Sequence, residues 1–418
     1  MRDRQSGLGK ALAALAYADY QRFAIALLLT SIGAQILLIA TLWQVYVLTG
    51  SAFLLGLTGL ARAVPQLVLS LVGGVIADRV DRVRMLQFAQ AANAVLILAL
   101  GALTLSGGVQ LWHVYLVTFL NGATTALTQP ARTALIPSLV PREGLVNAVA
   151  FNSTVIQLSM IVGPAVGGAM ISAFDLAPTY LLNGLAYVVS FGAFALIRIR
   201  VVPPRTAESP WQSLLEGLAF VRQKPVIVAL LSVDGASQLF GSYRALLPIF
   251  AVSLGAGAEG LGILSAAPGV GSLLTATVIL SLGDMRYKGL CTVFGVLGYC
   301  VALVMLAAAP WFWLAVVAAA LLGCTNSIQV IPRNSAILAI TPDPLRGRVE
   351  SFRSMLAGGI PPLGYSTSGA LAAIIGAPMA VIAGAVVCAI VVIGIGATRP
   401  ELRDPDLGTM SVEPTPVG

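Results

Sequence analysis

The stretch GGVIADRVDRVRML, residues 73–86, puts two acids and three arginines into the seven residues 78–84 of a strongly apolar chain. The run before it, LLGLTGLARAVPQLVLSLV (54–72), holds one charge, Arg62, and the run after it, QFAQAANAVLILALGALTL (87–105), holds none. Each run approaches the roughly 20 residues that carry a helix across a bilayer. The charged stretch is then a short loop at a membrane surface, joining two spans.

The rest of the chain repeats this pattern. Of its 418 residues 58% are hydrophobic and 10% charged, against about 25% charged in an ordinary soluble domain. Such a chain cannot cover a soluble surface, and its net charge of +7 matters less than where the charges fall. Apolar runs predict twelve membrane-spanning helices, at about 22–47, 54–76, 85–105, 113–136, 147–172, 179–198, 225–250, 260–282, 290–308, 311–338, 347–373 and 377–397. The prolines and glycines in the last few are tolerated where neighbouring helices satisfy the freed backbone groups. The first twenty residues lack a signal peptide's apolar region and cleavage site.

The loops alternate in charge. One set carries Arg2, Arg4 and Lys10, then Arg79, Arg82 and Arg84, Arg142, Arg198 to Lys224, Arg286 and Lys288, Arg346 and Arg348, and Arg399 and Arg403. The other set, LTGSAF, SGGVQLW, AFDLAP, AVSLGAGAEG, AAAP and IGAP, carries no Lys or Arg. Positive loops stay in the cytoplasm, so both termini are expected there. The long polar interruption at 198–225 divides the spans six and six. The expected organisation is a cytoplasmic segment (1–21), a six-helix half (22–198), a linker (199–224), a second six-helix half (225–397) and a cytoplasmic tail without fixed structure (398–418). Within the linker, SPWQSLLEGLAFVRQ reads as a helix with Ser209 as N-cap and Pro210 first, its Trp211, Leu214, Leu215 and Leu218 resting on the membrane surface.

The two halves echo each other. A constant offset pairs Arg132 with Arg333, Pro141 with Pro342, Phe151 with Phe352 and Ser153 with Ser354, and Asp284 matches Asp78. Parallel six-helix repeats are one layout of secondary transporters, with the substrate site at their interface near the midplane.

GGVIADRVDRVR resembles the loop signature of the major facilitator superfamily, Gly-x-x-x-Asp-Arg-x-Gly-Arg-Arg, through Gly74, Asp78, Arg79 and Arg82; Asp81 stands where the family has Gly. More narrowly, PARTALIPSLVPREGLVNAVAFNSTVIQLSMIVGPAVGG, LRGRVESFRS and the Arg244 and Pro248 of YRALLP resemble the bacterial subgroup of the enterobactin exporter and macrolide efflux proteins. The resemblance implies an all-α integral membrane fold of twelve helices, two six-helix halves related by a pseudo-two-fold axis. It also implies a loop that latches one conformational state, built on Gly74, Asp78, Arg79, Arg82 and Asp284. A helix N-terminus carries roughly half a positive charge, so Asp78 could dock on the start of the eleventh span near Gly347.

A charge inside a span costs about 2.5–3.5 kcal/mol on insertion scales, which singles out Arg62, Arg132, Asp234, Arg244 and Arg333. Asp234, Ser237, Gln238, Gly241 and Arg244 recur at helical spacing and predict one polar face on the seventh span. Burial favours a carboxylate's neutral form and a nearby guanidinium its charged form. Asp234 is therefore either a carrier of a coupling proton or half of an ion pair with Arg62 or Arg244. Arg132 and Arg333, near helix ends, are expected to snorkel or to bond the last carbonyls. Gln35, Asn121, Thr125, Asn152, Gln157, Gln238 and Asn326, together with Asp234, are candidates for a substrate cavity, the amides and the hydroxyl alternatively for interhelical hydrogen bonds. Gly163, Pro164, Gly167 and Gly168 read as close helix packing.

Other chemistries lack their residues. Lys10, Lys224 and Lys288 are the lysines, and none sits in a phosphate-binding Gly-Lys-Ser/Thr. His113 is the single histidine, and Cys291, Cys300, Cys324 and Cys388 fall in apolar runs, so no metal or disulfide framework is expected, and no cofactor. A membrane enzyme would need a convergent acid, His or Cys set that is missing here. The expectation is a monomeric, multi-pass protein of a bacterial inner membrane that exports a small, mostly apolar compound, drug or siderophore-like, by proton antiport. A lysophospholipid or nutrient porter is the alternative, and nucleic acid is not a partner.

Overall fold

A computed structural model of the chain describes residues 14–77, 80–199, 210–283, 285–404 and 407, with the backbone alone at 14, 70–77, 210–214 and 282. Among the described residues the regular structure is helical throughout. In chain order the helices are α1 (Ala18–Thr49), α2 (Ala52–Ala77), α3 (Arg82–Leu105), α4 (Leu111–Leu139), α5 (Leu145–Phe174), α6 (Leu176–Ala195) and α7 (Pro210–Gln223). They continue with α8 (Pro225–Phe240), α9 (Leu247–Ser253), α10 (Gly257–Leu282), α11 (Lys288–Ala307), α12 (Phe312–Ile340), α13 (Arg346–Ile375) and α14 (Ala377–Thr398).

Ten candidate spans among the described residues are long and apolar enough to cross a membrane, with α8 and α9 counted within a single span. The predicted spans at 113–136 and 347–373 are also helical, as α4 and α13, but fall outside those ten. Their composition explains this: α4 carries Asn121, three threonines at 124, 125 and 128 and Arg132, and α13 is rich in Gly, Ser and Pro.

Charged residues at the helix ends do identifiable work. Asp81 caps α3, its carboxylate accepting from the Val83 N–H at 2.9 Å. Asp175 caps α6 in the same way, accepting from the Leu176 N–H at 2.7 Å. A capping carboxylate satisfies an orphan donor and complements the helix dipole. That explains an acid at 81, where the family signature has glycine.

Contacts divide the chain into two compact units. The first joins Met1–Ser51, Leu60–Ala207 and Ala251–Ala266. Its packed interior includes Tyr20, Phe23, Leu27, Leu86, Leu135 and Phe194. Buried polar groups cross between its helices: the Tyr180 hydroxyl donates to Gln44 at 2.7 Å, and Gln44 donates to Thr104 at 3.0 Å. Asn183 donates to the Gly33 carbonyl at 3.0 Å. In the absence of water such bonds hold membrane helices in register. Gly168 of α5 faces Gly262 of α10 so closely that a Cβ on Gly168 would stand 2.7 Å from the Gly262 Cα. Gly163 and Gly167 of the same helix lie against Gln35 and Ile36 of α1.

The second unit joins Ala52–Gly59, Glu208–Phe250 and Ala267–Gly418. Here the first two turns of α2 pack on α13: a Cβ on Gly56 would stand 2.7 Å from the Tyr365 carbonyl oxygen, and Ser366 donates to the Gly56 carbonyl at 3.2 Å. The start of the tail, expected to lack structure, is ordered. Pro400–Arg403 form a helical turn whose Leu402 is fully buried, its backbone against Gly289 of α11.

The linker helix α7 also departs from expectation. It begins at Pro210 as predicted, but it docks on the start of α13 rather than resting only on a membrane surface. Gly217 faces the Arg348 carbonyl, which a Cβ would approach to 2.5 Å, and Glu216 forms an ion pair with Arg348.

Candidate functional site

Asp234 on α8 is ion-paired with Arg333 on α12, and both side chains are largely buried. The pairing differs from the expectation of Arg62 or Arg244. Helix geometry supplies the reason. Side chains tilt toward a helix's N-terminus, so Arg333 points back into α12 rather than out through its C-terminal end. At 4% exposure it does not snorkel.

Arg244 is off the predicted stripe because the seventh span is not continuous. α8 ends at Phe240, and Arg244 opens a short 3-10 turn, Arg244–Leu246, before α9. The break lies at Gly241, whose carbonyl accepts from the Tyr299 hydroxyl at 3.0 Å. Arg244 is exposed, and Tyr243, Tyr365 and Tyr299 lie within its electrostatic reach.

The Asp234–Arg333 pair belongs to a longer network. The Asn334 side-chain oxygen accepts from Arg333 at 3.3 Å and from Arg353 of α13 at 3.4 Å. Arg353 in turn donates to Glu350 at 2.8 Å. Three helices, α8, α12 and α13, are tied through one chain of charges. Arg353 and Glu350 were not singled out from sequence, because they lie in the basic start of a span where charges set topology. Gln329, buried on α12, donates to Asn326 at 3.0 Å.

The first unit holds a second polar cluster. Asn121 of α4 donates to Asn93 of α3 at 3.0 Å, and Thr124 donates to the same oxygen at 3.1 Å. Thr125 spends its hydroxyl on the Asn121 carbonyl of its own helix at 2.8 Å. Tyr187 of α6, 1% exposed, lies beside the Asn121 side chain and within electrostatic reach of Arg132 and Arg62. Asn93 and Tyr187 escaped the sequence reading. Gln90 and Asn93, three residues apart in an apolar run, were the available signal for the first.

The remaining candidates are placed singly. Gln35 lies half-buried against Gly163, and Gln157 and Gln238 are half-buried. The Asn152 side-chain oxygen is buried without a hydrogen-bond partner. Of the loop signature, Gly74 lies in α2 and Arg82 donates to the Ala134 carbonyl of α4 at 2.8 Å. Asp78, Arg79 and Asp284 lie outside the described residues. Among the described residues no group of three or more His, Cys, Asp or Glu could hold a metal.

Solved structures of major facilitator transporters share this fold. The nucleoside transporter NupG superposes with a TM-score of 0.71 at 14% identity, covering 91% of this chain and 98% of that one. A bacterial homologue of the human lysosomal transporter Spinster gives 0.69 at 13% identity, over 92% and 97%. The chain belongs to the transmembrane secretion effector family, whose model matches residues 9–416. Curated relatives include the enterobactin exporter EntS of Shigella boydii serotype 4, 26% identical over 309 residues, 74% of each chain. The same exporter from Escherichia coli O139:H28 is 25% identical over the same length. The protein is thus a multi-pass membrane transporter.

Proposed function

We propose that the protein is a secondary active exporter of the bacterial inner membrane, moving a small, mostly apolar organic compound outward by alternating access as a proton antiporter. The observation that carries this reading is the buried Asp234–Arg333 pair in a chain whose curated relatives are exporters. A proton arriving on Asp234 cancels the charge that holds Arg333. Because Arg333 shares Asn334 with Arg353, that event loosens the ties among α8, α12 and α13 together. Protonation and conformation then become one equilibrium, which is what coupling requires.

The loop around Asp78 acts in this reading as a latch, docking a carboxylate at a helix N-terminus in one state and releasing it in the other. The amide side chains of Gln35, Asn121, Asn152, Gln157, Gln238 and Asn326 orient the compound among aliphatic neighbours. Both termini face the cytoplasm, and one chain suffices for transport.

The test is a thermal-shift panel on the purified protein with a macrolide, a catecholate siderophore and a lysophospholipid, followed by counterflow in proteoliposomes with the best stabiliser. Selective stabilisation follows affinity by mass action. Uphill movement under a pH gradient supports antiport. A compound that equilibrates without counterflow would make the protein a channel, and lower accumulation in cells lacking the protein would make it an importer.

A further inference from the structure

In the first unit α3 and α6 pack closely along their spans. A Cβ on Gly101 of α3 would stand 3.0 Å from the Leu181 side chain, and one on Gly184 of α6 would stand 2.6 Å from that of Leu98. At the arginine-bearing ends of the same two helices a cavity of about 340 Å³ opens. It is lined by Asp81, Arg84 and Gln87 at the start of α3 and by Ile197, Arg198 and Ile199 beyond the end of α6. α3 holds 24 residues, about 36 Å at 1.5 Å per residue, against a hydrocarbon core of roughly 30 Å. Its first turn therefore lies at the level of the lipid head groups.

The charges of this cavity are unevenly satisfied. Two arginines line it against one acid. Among the described residues neither the Arg84 nor the Arg198 guanidinium has a hydrogen-bond or ion-pair partner; Arg198 is held through its backbone N–H, 3.4 Å from Asp19. The acid is already committed. An Asp81 oxygen accepts from the Val83 N–H, at a helix N-terminus that complements its charge. The last carbonyls of α6, which would repel an anion, are spent as well. Gln87 donates to the Phe194 carbonyl at 3.1 Å, and Arg22, paired with Asp19, donates to that of Leu196 at 2.8 Å. What the cavity still offers is the positive charge of two guanidinium forks.

An apolar track leads away from it along both helices. Phe88 follows Arg84 by one turn on α3, Val95 continues the same face two turns on, and both are exposed. On α6, Val188 and Phe191 are exposed in the two turns before Ala195, which borders the cavity. Exposed side chains of this kind on a membrane span meet acyl chains.

We infer that this cavity binds an anionic phospholipid, its phosphate held by Arg84 and Arg198 and its acyl chains laid along Phe88 and Phe191. A guanidinium fork matches a phosphate with two parallel hydrogen bonds, and basic pockets between membrane helices take anionic head groups on the same principle. A choline or ethanolamine head brings a cation of its own to a lining already positive. The site goes beyond the transport reading and does not depend on which compound the chain moves.

The test uses the full chain purified in detergent, with dioleoyl lipids added at equal mole fraction. Phosphatidylglycerol should raise Tm clearly more than phosphatidylcholine or phosphatidylethanolamine does. Glycerol phosphate supplies the phosphate ester without acyl chains and should give no shift.

Arg84→Gln and Arg198→Gln should each weaken the apparent affinity for phosphatidylglycerol about ten-fold, as the loss of a charge-assisted, bidentate contact does. The double variant should lose the preference over phosphatidylcholine. Both side chains are exposed, so its lipid-free Tm should stay near that of the parent. If it fails to fold, Arg84→Lys with Arg198→Lys serves instead; it keeps the charge, loses the fork, and should retain a reduced preference. Arg142→Gln removes an exposed arginine from another basic loop and should leave the response unchanged. The inference is overturned if the three lipids stabilise equally, if Arg142→Gln weakens the response as much as Arg84→Gln, or if the double glutamine variant keeps the preference for phosphatidylglycerol. A shift with glycerol phosphate as large as that with the lipid would overturn the lipid assignment and make the occupant a soluble phosphate ester.

Discussion

Arg333 on α12 closes on the Asp234 carboxylate of α8, and it does so at 4% exposure, away from the helix end where a long cation could escape to water. Burying two charges is costly, and the pair offsets that cost only while both partners remain. This makes the pair a sensitive point for stability and, in the proposed mechanism, for proton coupling.

Asp234→Asn should therefore lower stability by about 3–5 kcal/mol, the usual cost of stranding one member of a buried pair. Adding Arg333→Gln should recover part of that loss, because neighbouring substitutions in one pair are not additive. Thermal unfolding of the two variants measures both effects. Exchange at equal pH on both sides separates the roles. A coupling carboxylate leaves exchange intact in Asp234→Asn and removes uphill export. A purely structural pair loses exchange and export together. A stable variant that still exports uphill would exclude both roles.

Asp78 and Asp81 are three residues apart and should behave differently. In the proposed latch Asp78→Asn removes the charge that docks at a helix terminus, an effect of about 0.3–2 kcal/mol, enough to move a balanced two-state equilibrium several-fold. Transport should fall severely at normal expression. Asp81→Ala removes the α3 cap and should cost about 0.5–2 kcal/mol of stability, Asp81→Gly only a few tenths, with transport near normal in both. Equal transport in Asp78→Asn and the parent would sink the latch.

The seat of α7 on α13 depends more on the absent side chain of Gly217 than on the charge of Glu216. Gly217→Val puts a branched side chain where a single Cβ already meets the Arg348 carbonyl at 2.5 Å. It should lift the linker helix and speed proteolysis within 199–224. Glu216→Gln disrupts a half-exposed pair, a class worth about 0–1 kcal/mol, and should leave cleavage near the parent rate. Identical cleavage patterns in all three proteins would show that α7 is held elsewhere.

Topology gives the simplest check. A reporter after Gly418 should be active in the cytoplasm, and one inserted at Gly107 should be active outside. Gly107 adopts φ +71° in the turn between α3 and α4, a tip that tolerates insertion. Reporters active on the same side would mean that the number of crossings between them is even.

The sequence by itself determined that this is a helical membrane chain, where its helical stretches lie, and which side chains are too polar to face lipid. Those properties are local, since run length, periodicity and the placement of Lys and Arg can be read without knowing any neighbour. Asp234 stood out for the same reason, as an acid within an apolar run. Its partner was settled only by the tertiary structure. The pairing with Arg333 depends on how α8 and α12 are rotated about their axes and on the break at Gly241 that takes Arg244 off the stripe. The docking of α7 on α13 and the burial of Leu402 likewise depend on surfaces built by residues far apart in the chain. Composition shows which charges a unit contains, and only the packing of helices decides which of them meet.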